Sequence, residues 1–185
     1  MSSSRKTYNL TTLKFGYYDK PDLGTPIEDI LDEYGKAIKG SFRGDRIDLE
    51  WGELDDYDQD EDSFYYRSIR EMELAFKKEG DRYYLQNISY SGDYRKAKAA
   101  YMPSDYYDKL KVGDPKTGKG GVSYKEVIGD NAVSSLTVSA GEDIETDEVI
   151  TKMRIRFNSS GSDEYKLTFV KQADGDFLLA KKGAD

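Results

Sequence analysis

The chain has 185 residues, room for one domain of generous size or two small ones sharing an interface. Its 13 Leu, 10 Ile, 7 Val and 7 Phe make up only a fifth of the chain, while charged residues make up 35% with a net charge of −8, so foldability rests on 16 Tyr, 4 Met and one Trp. The absence of Cys and His excludes disulfides, thiolate or imidazole metal centres and the usual Ser-His and Cys-His nucleophiles, and a pI near 4.8 speaks against nucleic acid. In chain order, Thr7 to Tyr18 nearly alternates apolar and polar residues and reads as a strand, ended by Pro21 to Gly24. Thr25 then caps a long helix with Pro26 in its first position and Ile27, Ile30, Leu31, Tyr34 and Ile38 on one face. Arg46 to Trp51 alternates Ile47, Leu49 and Trp51 with charged residues as a half-buried strand. Residues 63–78 fit either a helix or a strand. The strand reading places Met72, Leu74 and Phe76 on one face and turns through Gly80-Asp81 into Tyr84, Gln86, Ile88 and Tyr90. A helix is expected over Tyr94 to Met102 and a short one from Pro103-Ser104, with a loop over Gly113 to Gly121. Further strands are read at Ala132 to Val138, Val149 to Phe157 and Tyr165 to Phe169, closing through Gly175-Asp176 into Leu179 as an antiparallel meander. Leu74-x-Phe76-x-Lys78 before Gly80-Asp81 is echoed by Leu167-x-Phe169-x-Lys171 before Gly175-Asp176, which similar hairpins explain as well as duplication does.

The fold class expected is α+β: a curved antiparallel meander with one long N-terminal helix and one or two mid-chain helices packed on it. Residues 1–185 read as a single domain, with 91–121 as the boundary of any two-lobed arrangement. No stretch approaches the roughly 20 apolar residues of a transmembrane helix. The opening Met1-Ser2-Ser3-Ser4 has the character of a vector-derived junction, and a signal or lipid-anchor segment before it would favour a surface location.

Charge is segregated. Tyr94 to Lys125 holds eight basic and three acidic residues, a net of +5 set within −13 for the rest. Gly113-Asp114-Pro115-Lys116-Thr117-Gly118-Lys119 matches the opening of a phosphate-binding loop, but Gly120 stands where a hydroxyl must reach magnesium, and no β-α-β pattern surrounds it; a flexible basic loop is the better account. Asp56, Asp58 and Asp60 have the alternate spacing of calcium ligands, although Glu61 and Arg67 replace the Gly and Glu of an EF-hand. The competing account of Glu50 to Asp62 is a solvated loop whose charge keeps sheet edges apart. Of the four Tyr pairs, Tyr17-Tyr18, Tyr65-Tyr66, Tyr83-Tyr84 and Tyr106-Tyr107, most are explained by packing on a half-buried sheet. Tyr94, Arg95, Lys98, Tyr106 and Tyr107 form the candidate partner surface, because tyrosines and cations on a wet face suit an anionic protein or a glycan. No carboxylate pair stands out from 36 acids, so no catalytic residue and no cofactor is assigned.

The helix Thr25 to Ile38, the hairpin Leu74 to Ile88 and the closing Leu167 to Leu179 resemble the soluble domains of bacterial surface lipoproteins with an NTF2-like or cystatin-like helix-on-sheet form. The resemblance implies a non-catalytic binding or accessory domain, extracellular or at the cell surface, with a pocket between sheet and helix. The lipobox Cys of such proteins is absent from this sequence. Two other readings stand beside it. One is an NTF2-like small-molecule or enzymatic pocket. The other is an acidic immunity or inhibitor protein that neutralises a basic partner through Glu50 to Asp62. A cytoplasmic location is the alternative to the surface.

Overall fold

Alternation of apolar and polar residues marks a series of strands that share one buried face. The computed structural model describes residues 21–37, 39–53, 70–91 and 97–183. The expected strand at Thr7 to Tyr18, the acidic run with Asp56, Asp58 and Asp60, and residues Ile38, Tyr94 and Arg95 lie outside them. Among the described residues eight strands form one sheet in which spatial order equals chain order: β1 (Lys39–Arg43), β2 (Arg46–Glu53), β3 (Arg70–Glu79), β4 (Arg82–Ser91), β5 (Ser135–Glu142), β6 (Val149–Asn158), β7 (Glu164–Lys171) and β8 (Phe177–Lys182). Every neighbouring pair is antiparallel. Among the described residues three short helices, α1 (Ile27–Tyr34), α2 (Ser104–Lys109) and α3 (Tyr124–Asp130), complete an α+β architecture. No helix of the described residues is long and apolar enough to cross a membrane.

The buried face carries Trp51, Met72, Leu74, Phe76, Leu85, Ile88, Tyr90, Leu136, Met153, Ile155, Phe157, Leu167, Phe169 and Leu179, each at most 1% exposed. The helices add Ile30, Tyr34, Tyr124, Val127 and Ile128 to the same cluster. Tyrosine does supplement a lean core: Tyr90 and Tyr124 are fully buried, and Tyr34 lies 6.2 Å from the Trp51 ring. Trp51 Nε1 donates to the Gly35 carbonyl at 3.1 Å, joining β2 to the end of α1.

The long N-terminal helix is corrected to eight residues. Thr25 does not cap it, because its hydroxyl donates to Asp22 O at 2.6 Å; Pro26 sits at the N-cap in extended backbone. Gly35 ends it with φ +75°, a left-handed value that a side chain would strain, and Gly35 N–H donates back to Leu31 O. The strand reading of 63–78 holds where residues are described: Arg70–Glu79 is β3, and Met72, Leu74 and Phe76 share its buried face. The inward phase of β4 differs, however. Phe76 pairs with Leu85 and Ala75 with Asn87, so Gln86 is an extra bulged residue. Ile88 and Tyr90 point inward as expected, but Leu85 takes the buried place read for Tyr84 and Gln86; Tyr84 is half-buried and Gln86 exposed.

Residues 97–102 are not helical. They run irregularly, bent at Lys98, Ala100 and Tyr101, with Ala99 bridged to Asn131 and Met102 to Ser159 in parallel, and Met102 N–H donating to Asn158 O at 2.8 Å. Pro103 disfavours helical backbone at Met102, and the pairing buries that side chain completely. Two elements are additional to those read from sequence. β1 is joined to β2 through Gly44-Asp45, with Gly44 at φ +59° as in a tight glycine-first hairpin turn. α3 follows Ser123, whose Oγ accepts from Lys125 N and which stands three residues before Glu126, the capping-box spacing.

The two sheet edges are treated differently. Beside β8, Gly113 N–H donates to Leu179 O and Leu179 N–H to Val122 O, while Ser123 bridges Leu178, so the loop 113–123 covers that edge. β1 is exposed along its length and carries Lys39 and Arg43, the charges with which edges resist unwanted strand pairing.

Candidate functional site

One face of the sheet packs against helices, and the strand register spells out the chemistry of the other, on which Thr168 and Val170 are themselves buried. A single row across it runs Glu50, Glu73, Ser89, Thr137, Arg154, Thr168, Lys181 from β2 to β8. The row begins in carboxylates, passes through hydroxyls and ends in cations. On β6, Lys152, Arg154 and Arg156 alternate with the buried Met153, Ile155 and Phe157, so one strand supplies both core and a cationic stripe. Alternate residues on a strand lie about 6.6–6.8 Å apart. Lys166 on β7 faces Arg156, and Lys181 on β8 faces Thr168, which widens the stripe into a basic patch; Glu164 lies 3.8 Å from Arg156. Arg154, Arg156 and Lys181 are exposed, and Lys152 and Lys166 half-buried. Thus a protein of net charge −8 presents a cationic face over β6 to β8. The sequence carries this signal in the same alternation that marks β6 as a strand, separate from the contiguous basic segment Tyr94 to Lys125.

Within that segment Lys98, Tyr106 and Tyr107 help to hold the helical layer together. Lys98 Nζ and Tyr106 Oη both donate to the Asp130 carboxylate, at 2.6 and 2.8 Å. These bonds tie residues 97–102, α2 and α3 to one acid. The Lys98 ammonium, then the Tyr106 hydroxyl, hold the Asp130 carboxyl below the usual carboxylate range, and Asp130 raises Lys98 in return. The Tyr106 phenol is pushed well up, first by burial and then by its bond to Asp130. Tyr107 stacks on Tyr165 with ring centroids 4.2 Å apart, and Lys182 Nζ lies 4.7 Å over the Tyr107 ring while donating to the carbonyls of Tyr107 and Asp108 at the end of α2. Tyr106 and Tyr107 are therefore half-buried fasteners, and Lys98 is an exposed cation paired with Asp130.

The loop that begins like a phosphate-binding loop directs its N–H groups inward. Lys116 and Thr117 N–H donate to the Asp114 carboxylate, Gly118 N–H to Asp114 O, Lys119 N–H to Thr117 Oγ1 and Gly121 N–H to Gly118 O. The donors that a phosphate would require are thus committed to the loop itself. These bonds, above all the two amides on its carboxylate, lower the Asp114 carboxyl. Gly118 has φ +72°, and a Cβ there would come within 2.4 Å of Leu178 O. This segment is a fixed strap on β8 rather than the flexible basic loop expected.

No group of three or more His, Cys, Asp or Glu side chains among the described residues could hold a metal ion. Between β5 and β6 the outer face has a half-open depression of about 190 Å³ in which Ala140, Gly141 and Ile150 stand among both acids, Glu142 and Asp143, and bases, Lys152 and Arg154. Among the described residues the fold is an eight-stranded antiparallel meander with helices on one face and a charge-polarised opposite face. No protein-family model matches the chain, and no curated protein is similar to it.

Proposed function

We propose that this is a non-catalytic binding domain that docks an anionic protein segment on the outer face of β6 to β8, in the extracellular or cell-surface setting that the lipoprotein resemblance implies. The observation that carries the reading is the row ending in Arg154 and Lys181, flanked by Lys152, Arg156 and Lys166 on adjacent rows. The 6.6–6.8 Å repeat of its cations is also the repeat of alternate side chains in an extended peptide, about 3.3–3.4 Å per residue. An acidic segment lying along β6 can therefore meet successive cations in register. Between sheet and helices the space is filled by Ile30, Tyr34, Trp51, Tyr124, Phe169 and Phe177, all at most 3% exposed, which favours recognition on the open face over an internal NTF2-like pocket.

The test is fluorescence anisotropy of a labelled polyglutamate peptide with the wild type and with Arg154→Glu/Arg156→Glu. Saturable binding that weakens about tenfold or more in the variant, and weakens with added salt, is the expected result. Equal binding by both proteins, or a preference for a sulfated glycan over the peptide, would overturn the assignment.

A further inference from the structure

On one side the sheet ends at β1, which among the described residues has a single strand neighbour, β2. All five of its residues are exposed. An edge of this kind offers a row of backbone N–H and C=O groups to a further strand. Phe42 pairs with Ile47, which packs against the core, so Phe42 stands on the helical side of the sheet. Its ring lies 6.3 Å from that of Tyr83, edge to face, yet the residue is 66% exposed. Lys39, Ser41 and Arg43 alternate with it and take the other side. There Lys39 meets Glu50 at 3.6 Å and Arg46 binds Asp48 at 2.8 Å, whereas Arg43 stands opposite Arg46, cation against cation. An acid set beside Arg43 by a third strand offsets this like-charge pairing.

We propose that β1 is a strand-addition site for an extended segment of a partner protein, in which an acidic residue opposite Arg43 adjoins an apolar residue opposite Phe42. The backbone of that segment supplies the affinity. Arg43 and Phe42 supply the selectivity, because neighbouring residues of a strand point to opposite sides of the sheet. Charge decides the occupant. Two β1 strands from two copies, paired antiparallel about Ser41, would set Lys39 of each against Arg43 of the other, and like charges directly opposite destabilise such a pair. The chain's own alternating stretch, Thr7 to Tyr18, contains no acid and one cation, Lys14. The cations that turn away a second copy therefore admit an acidic strand. β1 lies at the far edge of the sheet from β8, so this surface is separate from the face of β6 to β8 and goes beyond the binding-domain reading.

The test is fluorescence anisotropy of a labelled peptide that alternates glutamate with valine, read with the full-length Arg154→Glu/Arg156→Glu protein so that the face of β6 to β8 does not compete. Saturable binding is expected, and methylation of the peptide's backbone nitrogens is expected to abolish it, since a methylated amide cannot donate to the edge. Adding Arg43→Glu is expected to weaken binding about tenfold and to favour a peptide that alternates lysine with valine. Phe42→Ser is expected to weaken it about as much, and both changes, at exposed positions, to leave the melting temperature in place. In the wild type, hydrogen exchange of residues 39–43 should slow only when the peptide is added. Slow exchange in the protein alone would mean that other residues of the chain cover the edge, and overturns the proposal. So does the absence of binding, binding that survives methylation or Arg43→Glu, or protection of β1 by a dimer. Polyglutamate binding on β6 to β8 is read separately, so either proposal can fail without the other.

Discussion

Replacing Gly121 by alanine tests how the β8 edge is closed. An added Cβ would lie 2.1 Å from Leu179 O and 2.9 Å from Gly113 N, both backbone atoms that cannot swing aside. To make room, the strap must retreat from β8 and give up two bonds, Gly113 N–H to Leu179 O and Leu179 N–H to Val122 O. Two such bonds at about 1 kcal/mol each, added to about 1–2 kcal/mol of overpacking, predict a loss of roughly 3–4 kcal/mol. In a chain of this length that lowers the melting temperature by roughly 6–16 °C. Gly129→Ala in α3 is the matched control: a Cβ there meets nothing within 4 Å, and alanine favours a helix by about 0.5–1 kcal/mol. Urea unfolding of the three proteins decides the matter. If Gly121→Ala lies within 1 kcal/mol of wild type while Gly129→Ala behaves as expected, the strap does not pack on β8 as described and the reasoning is wrong.

Three further outcomes follow from the same structure. Asp130→Asn is expected to cost about 1–2 kcal/mol at neutral pH, by weakening the acceptor shared by Lys98 and Tyr106. Because the folded carboxyl lies below its usual value, this stabilisation is full above about pH 4 and is lost as pH falls through the lowered folded value. Melting curves of wild type and variant should therefore converge in acid and diverge at neutrality; a gap that is constant with pH contradicts the assignment. Trp51→Phe removes a fully buried indole and its bond to Gly35 O, and is expected to cost about 2–4 kcal/mol by urea unfolding. Lys182→Met, which deprives the end of α2 of its donor and Tyr107 of its cation, is expected to cost about 1 kcal/mol and to raise hydrogen exchange in residues 104–110 before the rest.

The strands were legible wherever alternation ran unbroken, as at Met72-Leu74-Phe76 or Met153-Ile155-Phe157, because each such stripe is half of a buried pair in the register. Alternation misleads at Gln86, where a bulge inverts the phase and a local pattern carries no mark of it. The helix of Thr25 to Ile38 was over-extended because the apolar stripe continues past Gly35, while the glycine's left-handed backbone stops the helix first. Tyr94 to Met102 has helix-favouring residues, but at Met102 pairing with Ser159 and burial against the core outweigh propensity. The candidate site was hidden for a different reason. Its cations come from β6, β7 and β8, and only the register sets Arg154, Thr168 and Lys181 in line. Conversely, the contiguous cations of the mid-chain segment include Lys98, which is paired with Asp130.

The central claim, that recognition takes place on the open face of β6 to β8, is tested most directly by a nuclear magnetic resonance titration of the labelled protein with polyglutamate peptide. The account predicts saturable shifts centred on Lys152, Arg154, Arg156, Lys166 and Lys181, with the buried face and α1 unaffected. Shifts confined to α2 and the loop 113–121, or none at all at low salt, would contradict it.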